Sequence, residues 1–233
     1  MAIQGSQTFD TAGGNARSKP ARAVLVFVRA PERGTVKTRL AAAIGAGGAL
    51  RVYRRLAEHT LREAAALAGE GVQVRVHHTP ADAGDAVRHW LGAGPSYLPQ
   101  AEGDLGMRME DAFARAFAAG AERVVIVGSD LPEVSASLLR RAFDALDAHP
   151  AVIGPARDGG YYLLGLTRMV DGIFQGIAWS TPDVLAATLV RFRAAGVDPG
   201  MLEELADVDE AEDLPTGWLD ALPAEEAGDE AAP

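Results

Sequence analysis

The stretch that decides the fold is VLVFVRAPERGTVKTRL, residues 24–40. Its first five residues form an apolar, largely β-branched run, which predicts a strand buried on both faces of a sheet. A second such run, VVIV at residues 124–127, is followed by GSDLP. Segments with helical spacing of apolar residues alternate with these strands. The sequence therefore predicts an α/β domain with a largely parallel sheet that helices cover on both sides.

The alternating pattern indicates a single domain. Residues 1–20 contain few apolar side chains and are predicted to form a flexible leader. Residues 21–222 are assigned to the domain, and residues 223–233 to a disordered acidic tail. One helix is expected to begin near Ser135. The most clearly marked helix start is Ser180-Thr181-Pro182-Asp183, where threonine is expected to cap the helix and proline to occupy its first turn.

Composition excludes several classes of protein. The 233 residues include no cysteine, which excludes a disulfide framework, an iron–sulfur cluster and a cysteine nucleophile. No apolar run approaches the ~20 residues of a membrane span, and no apolar signal segment begins the chain, so a cytoplasmic location is expected. The net charge of −10 argues against nucleic-acid binding. Thirteen of the 32 acidic residues follow Arg193, the last basic residue, so residues 1–193 carry a net charge of +3.

The loop after the first strand is a candidate phosphate-binding site. It leads into a helix N-terminus, where free N–H groups and the helix dipole attract anions. Lys37 and Arg39 lie in the expected first turn, where cations are unfavourable unless an anion is bound. The chain has only two lysines, Lys19 and Lys37, among its 22 basic residues. The alternative is a solvated, arginine-rich surface. The spacing of a Walker loop is absent.

Acidic residues mark three further positions. Asp130 follows a central strand, where ligands bind in parallel sheets, and it precedes the next helix by too many residues to cap it. We therefore expect it to bind Mg²⁺ or Mn²⁺. Residues 207–213 (DVDEAED) either complete a divalent-cation site or begin the acidic tail. Asp158-Gly159-Gly160 either forms a tight turn or allows a ligand to approach the backbone.

Motifs of other enzyme classes are absent. The five histidines have no zinc-site spacing, no GxSxG motif indicates a serine nucleophile, and no GxGxxG motif follows the first strand.

The candidate segments together resemble one family. They are APERGTVKTRL (30–40), GDLGMRM (103–109), GSDLP (128–132), GPARDGGYYLLGL (154–166), WST (179–181) and DVDEAED (207–213). This set resembles the radical-SAM/selenodomain-associated transferases, also called arsenosugar-biosynthesis glycosyltransferases. They are nucleotide-diphospho-sugar transferases with the GT-A fold. The resemblance covers about residues 22–214 and implies a Rossmann-like, three-layer αβα sandwich with a mostly parallel central sheet.

The resemblance also implies roles for individual residues. Those implied to bind the nucleotide are Ala30, Pro31, Gly34, Lys37, Arg39, Gln100, Gly103, Asp104, Leu105 and Gly106. Those implied to bind the sugar or the acceptor are Asp158, Gly159, Gly160, Trp179, Ser180 and Thr181. The implied metal ligands are Asp130, Asp209 and Glu212, and the implied catalytic residues are Asp130, Lys37 and Asp158.

The implied function is a glycosyltransferase that depends on Mg²⁺ or Mn²⁺. It would use a nucleotide-diphospho-sugar donor and a small-molecule acceptor. GSDLP has one acid where many GT-A enzymes have an Asp-x-Asp pair, which weakens the implied metal site. The KTRL segment resembles 2-phospholactate guanylyltransferases equally well. A nucleotidyltransferase that releases pyrophosphate is therefore the alternative, and a non-catalytic nucleotide-binding module is the third possibility.

Overall fold

The structure is a computed structural model that describes residues 21–215. The predicted leader (1–20), the predicted acidic tail (223–233) and the last residues assigned to the domain (216–222) lie outside the described residues.

A seven-stranded sheet forms the middle layer of the domain. Its strands are β1 (Arg22–Arg29), β2 (Val72–Thr79), β3 (Ser96–Pro99), β4 (Arg123–Val127), β5 (Ala151–Pro155), β6 (Tyr161–Leu166) and β7 (Gly200–Met201). They are arranged in the order β3-β2-β1-β4-β6-β5-β7. Strands β3, β2, β1 and β4 are mutually parallel, as are β5 and β7, whereas β6 is antiparallel to both β4 and β5.

Five α-helices connect the strands within residues 21–215. They are α1 (Thr38–Ala65), α2 (Gly84–Leu91), α3 (Leu105–Ala118), α4 (Ala136–Ala148) and α5 (Val184–Ala194). Helix α1 is kinked at Gly45, whose φ of 76° a non-glycine residue would adopt only under strain. Within residues 21–215, no helix has both the length and the apolar content to cross a membrane.

Apolar side chains pack on both faces of the sheet. Along β1, Val24 and Val26 belong to the core that includes residues of α1 and α4, whereas Leu25 belongs to the core that includes residues of α3 and α5. Successive side chains of a strand point to opposite faces, so one wholly apolar strand contributes to both cores. The predicted αβα sandwich and the burial of β1 and β4 on both faces are confirmed.

One expectation about the elements was wrong, and one strand was not predicted. Helix α5 begins at Val184, after the predicted start, and residue 183 is its N-cap. Thr181 does not cap this helix, because its hydroxyl donates instead to the carbonyl of Ala178 at 2.8 Å. Strand β7 was not predicted, because two residues without an apolar alternation give no periodic signal.

Candidate active site

The centre of the candidate site is an ion pair between Lys37 and Asp130. Lys37 immediately precedes α1, and Asp130 follows the end of β4. Lys37 Nζ lies 3.1 Å from Asp130 Oδ2. The lysine side chain is 6% exposed and the aspartate side chain 44% exposed. The ammonium is thus buried beneath a carboxylate that remains accessible to solvent.

The backbone of Lys37 adopts an unusual conformation. Its φ of 48° and ψ of 51° are left-handed, which costs a residue with a Cβ about 1–2 kcal/mol. The surrounding structure holds this conformation. Val36 is buried against a cluster with Leu50 and Tyr53, and the carbonyl of Lys37 accepts a hydrogen bond from Ala41 N at 2.8 Å. Strain of this kind is often located at functional sites.

Tyr53 connects α1 to the end of β1. Its hydroxyl accepts a hydrogen bond from Arg29 N at 2.6 Å and donates to the carbonyl of Arg29 at 2.8 Å. Burial and the negative charge of Asp130 raise the pKa of Tyr53 well above its usual value. Hydrogen bonds with Arg29 and Ser129 lower this pKa, but by less. Tyr53 is therefore a neutral support for the strand end, and it was not among the predicted site residues.

Asp207 is a second carboxylate near the ion pair. The chain after β7 runs along β5 and then reaches β4, where Val208 N donates to the carbonyl of Asp130 at 3.1 Å. Asp207 is half-buried, and desolvation raises its pKa. The charges of Asp158 and Asp130 raise it further, and that of Lys37 lowers it. The charges of two other carboxylates and one ammonium therefore act on Asp207.

The other predicted metal ligands, Asp209 and Glu212, have different surroundings. Asp209 Oδ2 is 2.5 Å from Arg39 Nη1, and the Arg39 side chain is 73% exposed. Glu212 is exposed in a short 3₁₀ turn at residues 211–213. The structure does not bring Asp130, Asp209 and Glu212 together as the resemblance implied. Over the described range, no group of three or more acidic or histidine side chains is arranged to hold a metal ion.

The first loop lies at the carboxyl end of β1. Ala30 is buried and its N–H donates to the carbonyl of Thr79 at 2.7 Å, which joins the ends of β1 and β2. Pro31 is half-buried. Gly34 is exposed, with a φ of 80° that requires glycine to avoid strain. The loop is thus fixed at its start and open to solvent at its middle.

The predicted glutamine-plus-glycine loop lies at the neighbouring strand end. Gln100 N donates to the carbonyl of His78 at 2.8 Å, and its side-chain Nε2 donates to the carbonyl of His77 at 2.9 Å. Asp104 is the N-cap of α3, because its Oδ1 accepts a hydrogen bond from Met107 N at 2.9 Å. Gly103 and Leu105, on either side of the cap, are exposed.

Asp158 and the two glycines after it form a tight turn that also contacts another loop. Gly160 N donates to Asp158 Oδ1 at 2.8 Å. Gly159 has a φ of 88°, and a Cβ there would lie 2.0 Å from the carbonyl oxygen of Pro182. Leu185 N donates to the carbonyl of Gly159 at 2.8 Å. The segment therefore forms a tight turn, and the chain that approaches its backbone closely is the protein's own.

Trp179 links two of the predicted loops. Its ring lies against Gly106, where a Cβ would be 2.5 Å from a ring carbon. Ser180 has a φ of 62°, which makes it, with Lys37, one of two non-glycine residues with positive φ in the described chain. Both lie in segments predicted to bind substrate. The loops at residues 100–106, 158–160 and 179–185 are therefore joined by direct contacts.

The fold defines a class of protein. It is the α/β fold of the GT-A and nucleotidyltransferase enzymes, with the candidate residues at the carboxyl ends of the parallel strands. The chain belongs to the DUF2064 family, described as uncharacterized proteins conserved in bacteria, whose model matches residues 60–181. A crystal structure from Desulfovibrio desulfuricans G20, of a "putative nucleotide-diphospho-sugar transferase", is 35% identical with a TM-score of 0.77, and the match covers 82% of this chain and 83% of that one.

More distant solved structures share the fold. The 4-diphosphocytidyl-2C-methyl-D-erythritol synthase of Anaerococcus prevotii DSM 20548 is 13% identical with a TM-score of 0.54, and the match covers 83% of this chain and 95% of that one. The glucosyl-3-phosphoglycerate synthase of Mycobacterium tuberculosis, solved with Mn²⁺ and UDP, is 11% identical with a TM-score of 0.52, with 81% and 71% covered. No curated protein matches the sequence.

Proposed function

We propose that this protein is a glycosyltransferase that uses a nucleotide-diphospho-sugar donor and a divalent cation. The observation that carries the proposal is the ion pair of Lys37 with Asp130 at the carboxyl end of β4, where ligands bind in such sheets. The relative from Desulfovibrio desulfuricans G20, described as a "putative nucleotide-diphospho-sugar transferase", supports the donor class. The six motifs support membership of the arsenosugar-biosynthesis branch.

The carboxylates suit a hard divalent cation. Mg²⁺ is usually held by one or two carboxylates together with substrate phosphates, so a group of three protein ligands is not required. Asp130 is accessible to solvent, and its negative charge acts on Asp207. These two residues would hold the cation, with Asp207 in the place that the resemblance gave to Asp209. The synthase with Mn²⁺ and UDP provides a precedent within the fold. The bound cation would neutralise charge on the departing diphosphate.

The chain's own residues would bind and orient the donor. Lys37 would supply a positive charge for the phosphates, and the N–H groups at the start of α1, which have no side-chain cap, come directly after the same loop. Gln100 lies at the carboxyl ends of β1 and β2, where it would face the base. Trp179 and the turn at Asp158 lie along the joined loops and would bind the sugar or the acceptor. Charge that is in place before the bond breaks stabilises a leaving group.

A nucleotidyltransferase is the second candidate. The KTRL segment, residues 37–40, resembles guanylyltransferases, and a cytidylyl-type synthase has the same fold with a TM-score of 0.54. In this reaction a small phosphorylated or carboxylated substrate would attack the α-phosphorus of a nucleoside triphosphate. The two candidates differ in the leaving group, which is a nucleoside diphosphate in sugar transfer and pyrophosphate in nucleotidyl transfer.

A ligand panel tests the proposal. Melting temperatures are measured with nucleoside triphosphates and nucleotide-sugars, with and without Mn²⁺. Binding to the native state at ~100 times the Kd adds about 2.7 kcal/mol to stability. We expect a nucleotide-sugar to stabilise the protein only with Mn²⁺, and phosphorus NMR to detect nucleoside diphosphate after incubation with candidate acceptors. Stabilisation by a triphosphate alone, with release of pyrophosphate, would instead establish the second candidate.

A further inference from the structure

We infer that Lys37 is a built-in counter-ion that competes with the divalent cation for Asp130. When the cation binds, the lysine ammonium leaves the carboxylate and becomes available to the donor phosphates. The inference rests on the proposed function and adds to it an exchange of partners at Asp130.

The burial of the ion pair supports this exchange. The Lys37 side chain is 6% exposed, so its ammonium is not presented to solvent, where a diphosphate would approach. Its partner is 44% exposed, so a cation can reach Asp130 from solvent. A phosphate contact therefore requires the ammonium to leave its present position. Binding of the cation to Asp130 would cause the ammonium to leave.

The local charge also supports it. Lys37 pairs with Asp130, and Asp207 lies near enough to Asp130 and Asp158 for their negative charges to act on it. A doubly charged cation would neutralise these carboxylates better than the ammonium does. Two cations in contact with one carboxylate repel each other, and repulsion between neighbouring charges is strong at a partly buried site. Divalent-cation binding at Asp130 is therefore expected to displace Lys37.

Arg39 provides a matched comparison. It lies two residues from Lys37 and carries the same charge, but it is exposed and its partner is Asp209. Loss of its charge should weaken general attraction of anions to the loop without removing a competitor from Asp130.

The first test uses the wild-type protein. Its only lysines are Lys19 and Lys37, so reductive methylation followed by peptide mass spectrometry measures the reactivity of Lys37 against an internal reference. Without nucleotide, Mg²⁺ should raise the rate at Lys37 several-fold relative to Lys19. An unchanged or lower ratio at saturating Mg²⁺ would overturn the inference.

The second test measures Mn²⁺ affinity without nucleotide, from the paramagnetic resonance signal of free Mn²⁺. Lys37→Met should tighten binding about tenfold or more, since it removes a positive charge beside the cation. Arg39→Met should change affinity far less, and Asp130→Asn in the Lys37→Met background should abolish the gain. Mn²⁺ binding by Lys37→Met no tighter than wild type, or a gain that survives Asp130→Asn, would refute the competition.

The donor experiment separates this inference from the proposed function. If the wild-type protein binds no nucleotide-sugar at any Mn²⁺ concentration, the proposed function fails, while the methylation and Mn²⁺ titrations still decide whether Lys37 and the cation compete. If donors bind with Mn²⁺ but neither titration shows competition, the exchange is wrong and the proposed function stands.

Discussion

His77 should make the stability of this protein depend on pH below neutrality. It is 1% exposed, it stacks on Phe27 with ring centroids 5.5 Å apart, and neither of its ring nitrogens has a hydrogen-bond partner among the described residues. Burial, followed by the charges of Arg115, Arg75 and His78, lowers its pKa from 6.5 to about 4. His77 is therefore neutral in the folded protein at pH 7.

The size of the effect follows from this pKa. Between pH 6.5 and about 4, the unfolded chain binds a proton at His77 that the folded protein does not. The contribution of neutral His77 to the free energy of unfolding is fully present above pH 6.5 and is lost as the pH falls to about 4. Each pKa unit corresponds to about 1.4 kcal/mol, so the full loss is about 3 kcal/mol.

Two substitutions separate the charge from the buried polar atoms. His77→Phe keeps a ring against Phe27 and removes both unpaired nitrogens, each of which costs about 1–3 kcal/mol when buried. We expect it to be at least as stable as wild type at pH 7 and increasingly more stable down to pH 4. His77→Gln cannot titrate but remains polar, so it should lose the pH dependence without the gain at pH 7.

Urea unfolding at intervals from pH 4 to pH 8 measures these differences, in the absence of metal and nucleotide. The difference between His77→Phe and wild type isolates His77 from other titrating groups. A difference that does not change with pH would refute the reasoning, because it would mean that His77 is protonated equally in both states.

Three further predictions concern the site. Lys37→Gly should be about 1 kcal/mol more stable than Lys37→Ala in thermal unfolding, because both variants lose the ion pair but only glycine adopts the left-handed conformation without strain. Equal stabilities of the two variants would contradict the strain at Lys37. Gly159→Ala should destabilise the protein by more than a surface substitution and weaken donor binding, because the added Cβ would clash with the carbonyl of Pro182. Arg157→Ala, at an exposed position nearby, is the control, and similar effects of the two substitutions would contradict the importance of this contact. The pKa of Asp207 is raised above 3.8, so the stability that its protonated form contributes is present below pH 3.8 and is lost as the pH rises. The metal-free Asp207→Asn variant should therefore be more stable than wild type at pH 7, and this advantage should disappear towards pH 3.8. An advantage that persists at pH 3.8 would exclude a charge effect.

The sequence was sufficient to predict the three layers of the fold. Apolar runs such as residues 24–28 and 124–127 have the composition of strands buried on both faces, and the structure places them in β1 and β4 at the middle of the sheet. Helix α4 begins at Ala136, close to Ser135 as expected, and Ser135 caps it, with Leu138 N donating to its hydroxyl at 3.2 Å. The direction of β6 was not predictable, because a strand's apolar pattern carries no information about which way its partner runs.

The arrangement of the acidic residues could not be predicted from spacing. Asp207 and Asp209 both flank the buried Val208, and nothing in their sequence distinguishes the one near Asp130 from the one paired with Arg39. That difference arises from the path of the chain along β5 and the hydrogen bond from Val208 to Asp130. Lys37 was expected to face a phosphate. Its left-handed backbone and buried ion pair are set by tertiary contacts, which local sequence does not report.

The most direct test of the proposed site is calorimetric titration of a stabilising nucleotide-sugar into wild-type protein and Asp130→Asn, with and without Mn²⁺. Asp147→Asn is the matched control, because Asp147 pairs with Arg123 at the opposite end of β4. We predict that wild type and Asp147→Asn bind the donor in the presence of Mn²⁺, and that Asp130→Asn loses most of this affinity. Donor binding that is independent of Mn²⁺, or that survives unchanged in Asp130→Asn, would contradict a donor site centred on Lys37 and Asp130.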